Sequence, residues 1–224
     1  MGWHEWIRSA DVEPSIYAAD FANLGTQVRT LLHAGARVFH VDIGDGHFVE
    51  PITIGPVVVK AVAPIVHEVG GAVDCHLMVS NPERHFRQVA EAGGDSVTFH
   101  VEATDDVART KALARQEGLS VGVAFNPETA VEVAAEASIG ADLVLCMTVN
   151  PGYSGQQFLP ESLERIAELR RLLPRKLIQV DGGITLENIR SVREAGADLI
   201  VAGSSVFADG DLPHPYLRLL RALA

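Results

Sequence analysis

The chain has 224 residues, 47% of them apolar, a net charge of −11 and two cysteines. That length suits one barrel-sized domain or two small ones. The acidic balance excludes the basic surface that nucleic acid requires. No apolar run reaches the roughly 18 residues of a membrane span, so neither nucleic acid nor membrane is an expected partner. Met1 to Arg8 lacks a basic segment followed by an apolar one, so a cytoplasmic protein is expected. Cys75 and Cys146 sit inside apolar runs and read as small buried hydrophobes.

In chain order, strands are expected near Val12–Ile16, Val38–Asp42, Ala72–His76, Ser96–Phe99, Ser120–Ala124, Leu143–Met147, Leu177–Val180 and Leu199–Ala202. Helices are expected over Asn23–His33, Pro56–Ala63, Pro82–Ala92, Asp105–Glu117, Ala130–Ala137, Pro160–Leu172 and Leu186–Ala195, with a last one after Pro213. Prolines near several helix starts, as in Asn81-Pro82 and Leu159-Pro160, fit the first turn. A recurring junction ties these elements together. Ala34-Gly35-Ala36, Ala92-Gly93-Gly94, Ile139-Gly140-Ala141 and Ala195-Gly196-Ala197 each end a helix on glycine and run at once into a buried strand, and Gly118 does the same before Leu119. Repeated helix-to-strand joins mean βα units and a parallel sheet. Eight units in this length predict an α/β fold, a single-domain TIM (β/α)8 barrel over residues 11–224, with residues 1–10 as an N-terminal extension on the outside or across the bottom. A doubly wound open sheet is disfavoured, because no Gly-x-Gly-x-x-Gly turn follows the first strand.

In such a barrel the chemistry sits at the C-terminal ends of the strands. His40 and Asp42 are two residues apart, which puts both side chains on one face of their strand. His76 ends the third strand and Asp181 the seventh. Two imidazoles and two carboxylates suit one divalent ion such as Zn²⁺, Fe²⁺, Mn²⁺ or Co²⁺. Each residue alone reads as a satisfied polar group at a loop rim; together, on strands otherwise apolar, a shared site is favoured. His100 is a candidate fifth ligand but reads better as a hydrogen-bonding rim residue. Asp181-Gly182-Gly183 and Gly203-Ser204-Ser205 follow the seventh and eighth strands, where these barrels hold phosphate on backbone N–H groups. Gly152 and Gly155, after the sixth strand, would form a third, mobile wall.

Pro14-Ser15-Ile16, His40-Val41-Asp42, Asp45-Gly46-His47-Phe48-Val49, Cys75-His76-Leu77-Met78, Val149-Asn150-Pro151-Gly152, Val180-Asp181-Gly182-Gly183-Ile184 and Ala202-Gly203-Ser204 occur in that order almost end to end. In these stretches the chain resembles the ribulose-phosphate 3-epimerase family. The resemblance implies an enzyme, an isomerase of the pentose phosphate pathway. It would interconvert D-ribulose 5-phosphate and D-xylulose 5-phosphate by removing and returning the C3 proton through an enediolate. It implies one divalent metal ion per subunit on His40, Asp42, His76 and Asp181, with Asp42 and Asp181 as the catalytic acid/base pair. Substrate contacts would fall on Ser15, His76, Gly152, Tyr153, Ser154, Gly155, Asp181, Gly182, Gly183, Gly203 and Ser204. Gly44, Met78 and Met147 would line the pocket. Gly44 stands where the family usually has Met, so a wider pocket is expected, with Tyr17, in place of a usual Leu, as a candidate to refill it. Ser154 replaces a usual Gly. An epimerase for D-allulose 6-phosphate, a lyase or synthase of the hexulose-phosphate synthase kind, and a non-catalytic sugar-phosphate binder are the alternatives. Barrels of this size commonly associate, so a homo-oligomer is expected.

Overall fold

The computed structural model describes residues 2–8, 10–208 and 210–223. Eight strands form one parallel sheet: β1 (Asp11–Pro14), β2 (Val38–Gly44), β3 (Ala72–Met78), β4 (Ser96–His100), β5 (Ser120–Phe125), β6 (Leu143–Met147), β7 (Leu177–Asp181) and β8 (Leu199–Ala202). The hydrogen-bonded order runs from β1 through β8 and down to β2. A parallel bridge between Ser15 and His40 joins the two ends and closes the barrel. Each strand is followed by helical structure: α2 (Leu24–His33), α3 (Pro56–His67), α4 (Phe86–Ala92), α5 (Val107–Gln116), α6 (Val131–Ala137), α7 (Ser162–Leu172), α8 (Ile189–Ala195), then α9 (Ser204–Phe207) and α10 (His214–Leu223). The expected (β/α)8 barrel is the observed fold.

Strand residues alternate between two environments. Phe39, Val41, Ile43, Val73, Cys75 and Leu77 face outward into the core shared with the helices. Val38, Ala72, Leu143, Leu145, Met147 and Leu199 face into the barrel. The inward core at the N-terminal ends of the strands also holds Trp3 and Trp6, from α1 (Trp3–Trp6), whose rings meet edge to face at 5.5 Å. The start of the chain therefore lies across the bottom of the barrel.

Several element ends differ from expectation. The helix expected to stop at Ala63 runs through Pro64 to His67. Proline removes one backbone bond there, but Val66, in the last turn, is fully buried and offsets it. The stretch Pro82–Ala92 is split: a 3₁₀ turn at Pro82–Arg84 precedes α4. The short α9 was not anticipated, and it follows directly on Gly203 at the mouth.

Candidate active site

Strand register assembles the centre. Asp42 is paired with His76, His40 with Asp74, and Met147 with Asp181. One ligand atom from each of His40, Asp42, His76 and Asp181 lies within 4.8 Å of the others. His76 Nδ1 is 3.0 Å from Asp42 Oδ1 and 3.7 Å from Asp181 Oδ2. Ser15 Oγ donates to Asp42 Oδ2 at 2.5 Å. His40 and His76 are completely buried, beneath the cleft rather than on its wall.

The two carboxyls are driven apart electrostatically. Burial works against the Asp42 charge, but the charge of His40 beside it and the hydrogen bond from His76 outweigh it, holding this carboxyl far below the usual range. Asp181 is pushed up to about 7, first by burial and then by the charge of Asp42. Such divergence is the pattern expected of an acid/base pair.

The four side chains fit a metal ion. His40 Nδ1 is 2.9 Å from Asp74 Oδ2, so that nitrogen is taken up by a carboxylate. Its Nε2 is buried with no hydrogen-bond partner among the described residues, although Asp42 Oδ1 is 3.3 Å away. An imidazole anchored through one nitrogen to a carboxylate, with the other left facing a second carboxylate, is the usual setting of a metal-ligating histidine. The same carboxylates hold a proton on His40 in the metal-free protein: against the cost of burial, Asp42 and Asp74 raise its pKa well above the ordinary value. A cation would take the place of that proton.

Below this centre lies a polar layer that sequence reading missed. Asp74 accepts from Ser96 Oγ at 2.5 Å and from Gln179 Nε2 at 3.0 Å, and Gln179 Nε2 also donates to Glu13 at 2.6 Å. Burial, then the Asp74 charge, pushes the Glu13 carboxyl well up. Asp74 remains charged in spite of burial because His40, Ser96 and Gln179 all stabilise its anion. The partners Glu13 and Gln179 follow only from barrel closure.

The cleft above is walled by three loops. Gly152, Tyr153, Ser154 and Gly155 come from the loop after β6. Gly182 and Gly183 follow β7, and Gly203 and Ser204 follow β8; Ser15, Asp42, Asp181, Met78 and Met147 complete the floor and sides, with Tyr17 at the edge. Gly182 and Gly183 both have positive φ, and a Cβ on either would overlap Val149 or the backbone of Phe158, so only glycine brings the chain this close. Among the described residues lining the cleft there is no Lys or Arg. Ser205 also lines it, with a buried hydroxyl that has no hydrogen-bond partner among the described residues.

Gly44 corrects an expectation. It does not line the cleft. A Cβ there would lie 2.9 Å from Val49 Cγ2 and 3.0 Å from the Pro51 carbonyl oxygen. Thr53 pins this return segment to β2, accepting from Gly44 N–H at 2.6 Å and donating to the Asp42 carbonyl at 2.7 Å. The volume of the missing side chain is thus filled from the β2–α3 loop instead of being added to the pocket. His100 is likewise outside the cluster; its Nε2 is 2.9 Å from His76 Nε2.

This is a (β/α)8 barrel with a buried His/Asp cluster able to hold a cation at its C-terminal mouth and a glycine-walled cleft above it. A family model described as "Ribulose-phosphate 3 epimerase family" matches residues 11–207. The chain is 43% identical over 205 residues to the ribulose-phosphate 3-epimerase of Bacillus subtilis, covering 89% of this chain and 93% of the relative. It is 39% identical over 204 residues to that of Escherichia coli K12, covering 89% and 90%. The chain belongs to the ribulose-phosphate 3-epimerase family, whose members are isomerases. Among solved structures, a 3-hexulose-6-phosphate synthase superposes with a TM-score of 0.73 at 21% identity, covering 96% of this chain and all of that one, which shows a shared fold. Among the described residues no helix is long and apolar enough to cross a membrane.

Proposed function

We propose that this chain interconverts D-ribulose 5-phosphate and D-xylulose 5-phosphate as a step of pentose phosphate metabolism. One observation carries the reading: Asp42 and Asp181, from strands well separated around the barrel, present carboxyls to one cleft. Epimerising C3 requires a proton to leave one face of the carbon and another to arrive on the opposite face. Asp42, held as a carboxylate, takes the proton from C3 and leaves an enediolate. Asp181, on the other side of the cleft, gives one to the other face. In the reverse direction the roles exchange. His40, Asp42, His76 and Asp181 would hold one Zn²⁺, Fe²⁺, Mn²⁺ or Co²⁺. When bound, that ion supplies Lewis-acid stabilisation of the negative charge that develops as the C3 proton leaves. Ser15 orients Asp42 through their hydrogen bond. Met78 and Met147 give the reacting carbons an apolar wall. The backbone of Gly182, Gly183 and Gly203 with the hydroxyls of Ser204 and Ser154 would take the phosphate, and Gly152, Tyr153 and Gly155 would cover it.

We also expect self-association: Ile52 and Val57 are 83% and 84% exposed in the loop and helix after β2, and sedimentation gives the state directly. The test of the activity is a coupled ribulose 5-phosphate assay in deuterated water on metal-analysed protein. Wild type should turn over and place solvent deuterium at C3, and Asp42→Asn and Asp181→Asn should each lose about 10²- to 10⁴-fold. Variants as active as wild type, or turnover without deuterium at C3, would refute the mechanism. Because Gly44 leaves the cleft unwidened, five-carbon ketose phosphates should be preferred to D-allulose 6-phosphate in kcat/KM.

A further inference from the structure

The metal reading of the centre leaves a question about His76. Its Nδ1 faces two carboxylates, and a ring nitrogen that binds a cation must be bare. In a neutral imidazole that requires the proton to sit on Nε2. His76 Nε2 lies 2.9 Å from His100 Nε2. Two imidazole nitrogens at that distance share one proton, so the protonation of His100 decides the protonation of His76.

His100 is completely buried, with its Nδ1 3.3 Å from Glu102 Oε2. The other oxygen of that carboxylate, Oε1, accepts the Asn126 backbone N–H at 2.8 Å and the Thr129 hydroxyl. A carboxylate gripped by two donors on one oxygen is an acceptor on the other. It therefore calls for the His100 proton on Nδ1, which leaves His100 Nε2 bare to accept from His76. The 3₁₀ turn Val101–Ala103 directly after β4 is what folds Glu102 back beside His100. The Phe48 ring, 4.8 Å from the His100 ring, packs against that imidazole.

We propose that Glu102 and His100 are positioning residues that lock His76 into the tautomer with a bare Nδ1, aimed at the cation site. Glu102 serves His76 through His100 as Asp74 serves His40 directly. Without Glu102 the chain of ring protons can run the other way. His76 Nδ1–H then donates to Asp42 Oδ1, 3.0 Å away, and that hydrogen bond competes with the cation. The inference rests on the metal reading of the four-residue centre.

The test uses the full chain and Zn²⁺ itself. Competition with a chelator measures affinity for wild type and Glu102→Ala, and ¹⁵N imidazole spectra of the Zn²⁺-loaded wild type report which ring nitrogens carry protons. Thermal melting reports folding. Expected are one Zn²⁺ per wild-type chain, affinity about 10- to 100-fold weaker in Glu102→Ala, and a His100 ring protonated on Nδ1 and bare on Nε2. A lower melting temperature with unchanged Zn²⁺ affinity would reduce Glu102 to a structural role and overturn the inference, as would a His100 proton on Nε2. Should Glu102→Ala fail to fold, Thr129→Val removes a single donor from Glu102; a smaller loss of affinity in the same direction supports the relay, and no loss overturns it. Wild type that takes up no Zn²⁺ removes the cation site and the relay together. Equal binding by wild type and variant removes the relay alone.

Discussion

The two ends of this barrel are built on opposite terms. At the C-terminal mouth, the ends of the strands carry Asp42, His76 and Asp181, and the loops after β6, β7 and β8 are glycine-rich. At the N-terminal floor, they begin in Val38, Ala72, Leu143 and Leu199, closed over by Trp3 and Trp6. The mouth spends stability, since several of its ionisable side chains are buried and adjacent; the floor supplies it through apolar contact. Between them, Glu13, Asp74 and Gln179 transmit position without touching the cleft. Function and stability can thus be altered separately in one small sheet.

Substitutions at either end test that separation. The largest effect belongs to the mouth: Asp181→Asn should lower epimerisation by about 10²- to 10⁴-fold while the thermal midpoint holds or rises, because a buried carboxyl is replaced by a neutral amide. A coupled assay beside a melting curve checks both halves, and a collapse of the fold would break the comparison. Next comes the floor. Trp6→Ala should cost about 3–5 kcal/mol of unfolding free energy and leave Zn²⁺ affinity of the folded protein unchanged; denaturant titration and chelator competition read the two. In the layer between, Asp74→Asn should weaken metal binding about 10- to 100-fold, again by chelator competition, since an amide that holds His40 less firmly leaves the cleft walls intact.

Smaller effects follow from the pKa shifts. Burial opposes the charge on Glu102, but bonds from His100, Thr129 and Asn126 hold its pKa at about 2, below the ordinary value of about 4.3. Its contribution to stability is therefore complete above that ordinary value and fades as pH falls toward the folded one. The stability gap between wild type and Glu102→Gln should be widest at pH 5 and above and narrow under acid, as urea titrations at a series of pH values would show; a gap that widens in acid would contradict the assignment. Smallest of all, burial pushes the Cys146 thiol up to about 12 and Cys75 well above its ordinary value. Neither should react with a thiol reagent until the protein is unfolded.

The fold was legible because five of its helices announce their ends. Glycines at 35, 93, 118, 140 and 196 adopt the positive φ that a helix C-terminus favours, and a buried strand follows each of them. The cluster was legible for a similar local reason, the two-residue spacing of His40 and Asp42 at the end of an apolar strand. What stayed hidden depends on contacts between distant segments. That Gly44 is backed by Val49 and Pro51 depends on how the β2–α3 loop returns, which no periodicity encodes. That Gln179 bridges Glu13 and Asp74 depends on barrel closure. The pairing of Glu102 with His100 depends on the 3₁₀ turn after β4.

The floor has an optical consequence. The chain has only two tryptophans, and both are in α1. Its intrinsic emission therefore originates almost wholly at the end of the barrel remote from the cleft. Ligands and metal ions added at the mouth should leave that emission nearly dark to their arrival, while any loosening of the first turn of chain should redden it at once. The protein carries a built-in gauge of its own foundation that can be read during catalysis without disturbance from the substrate.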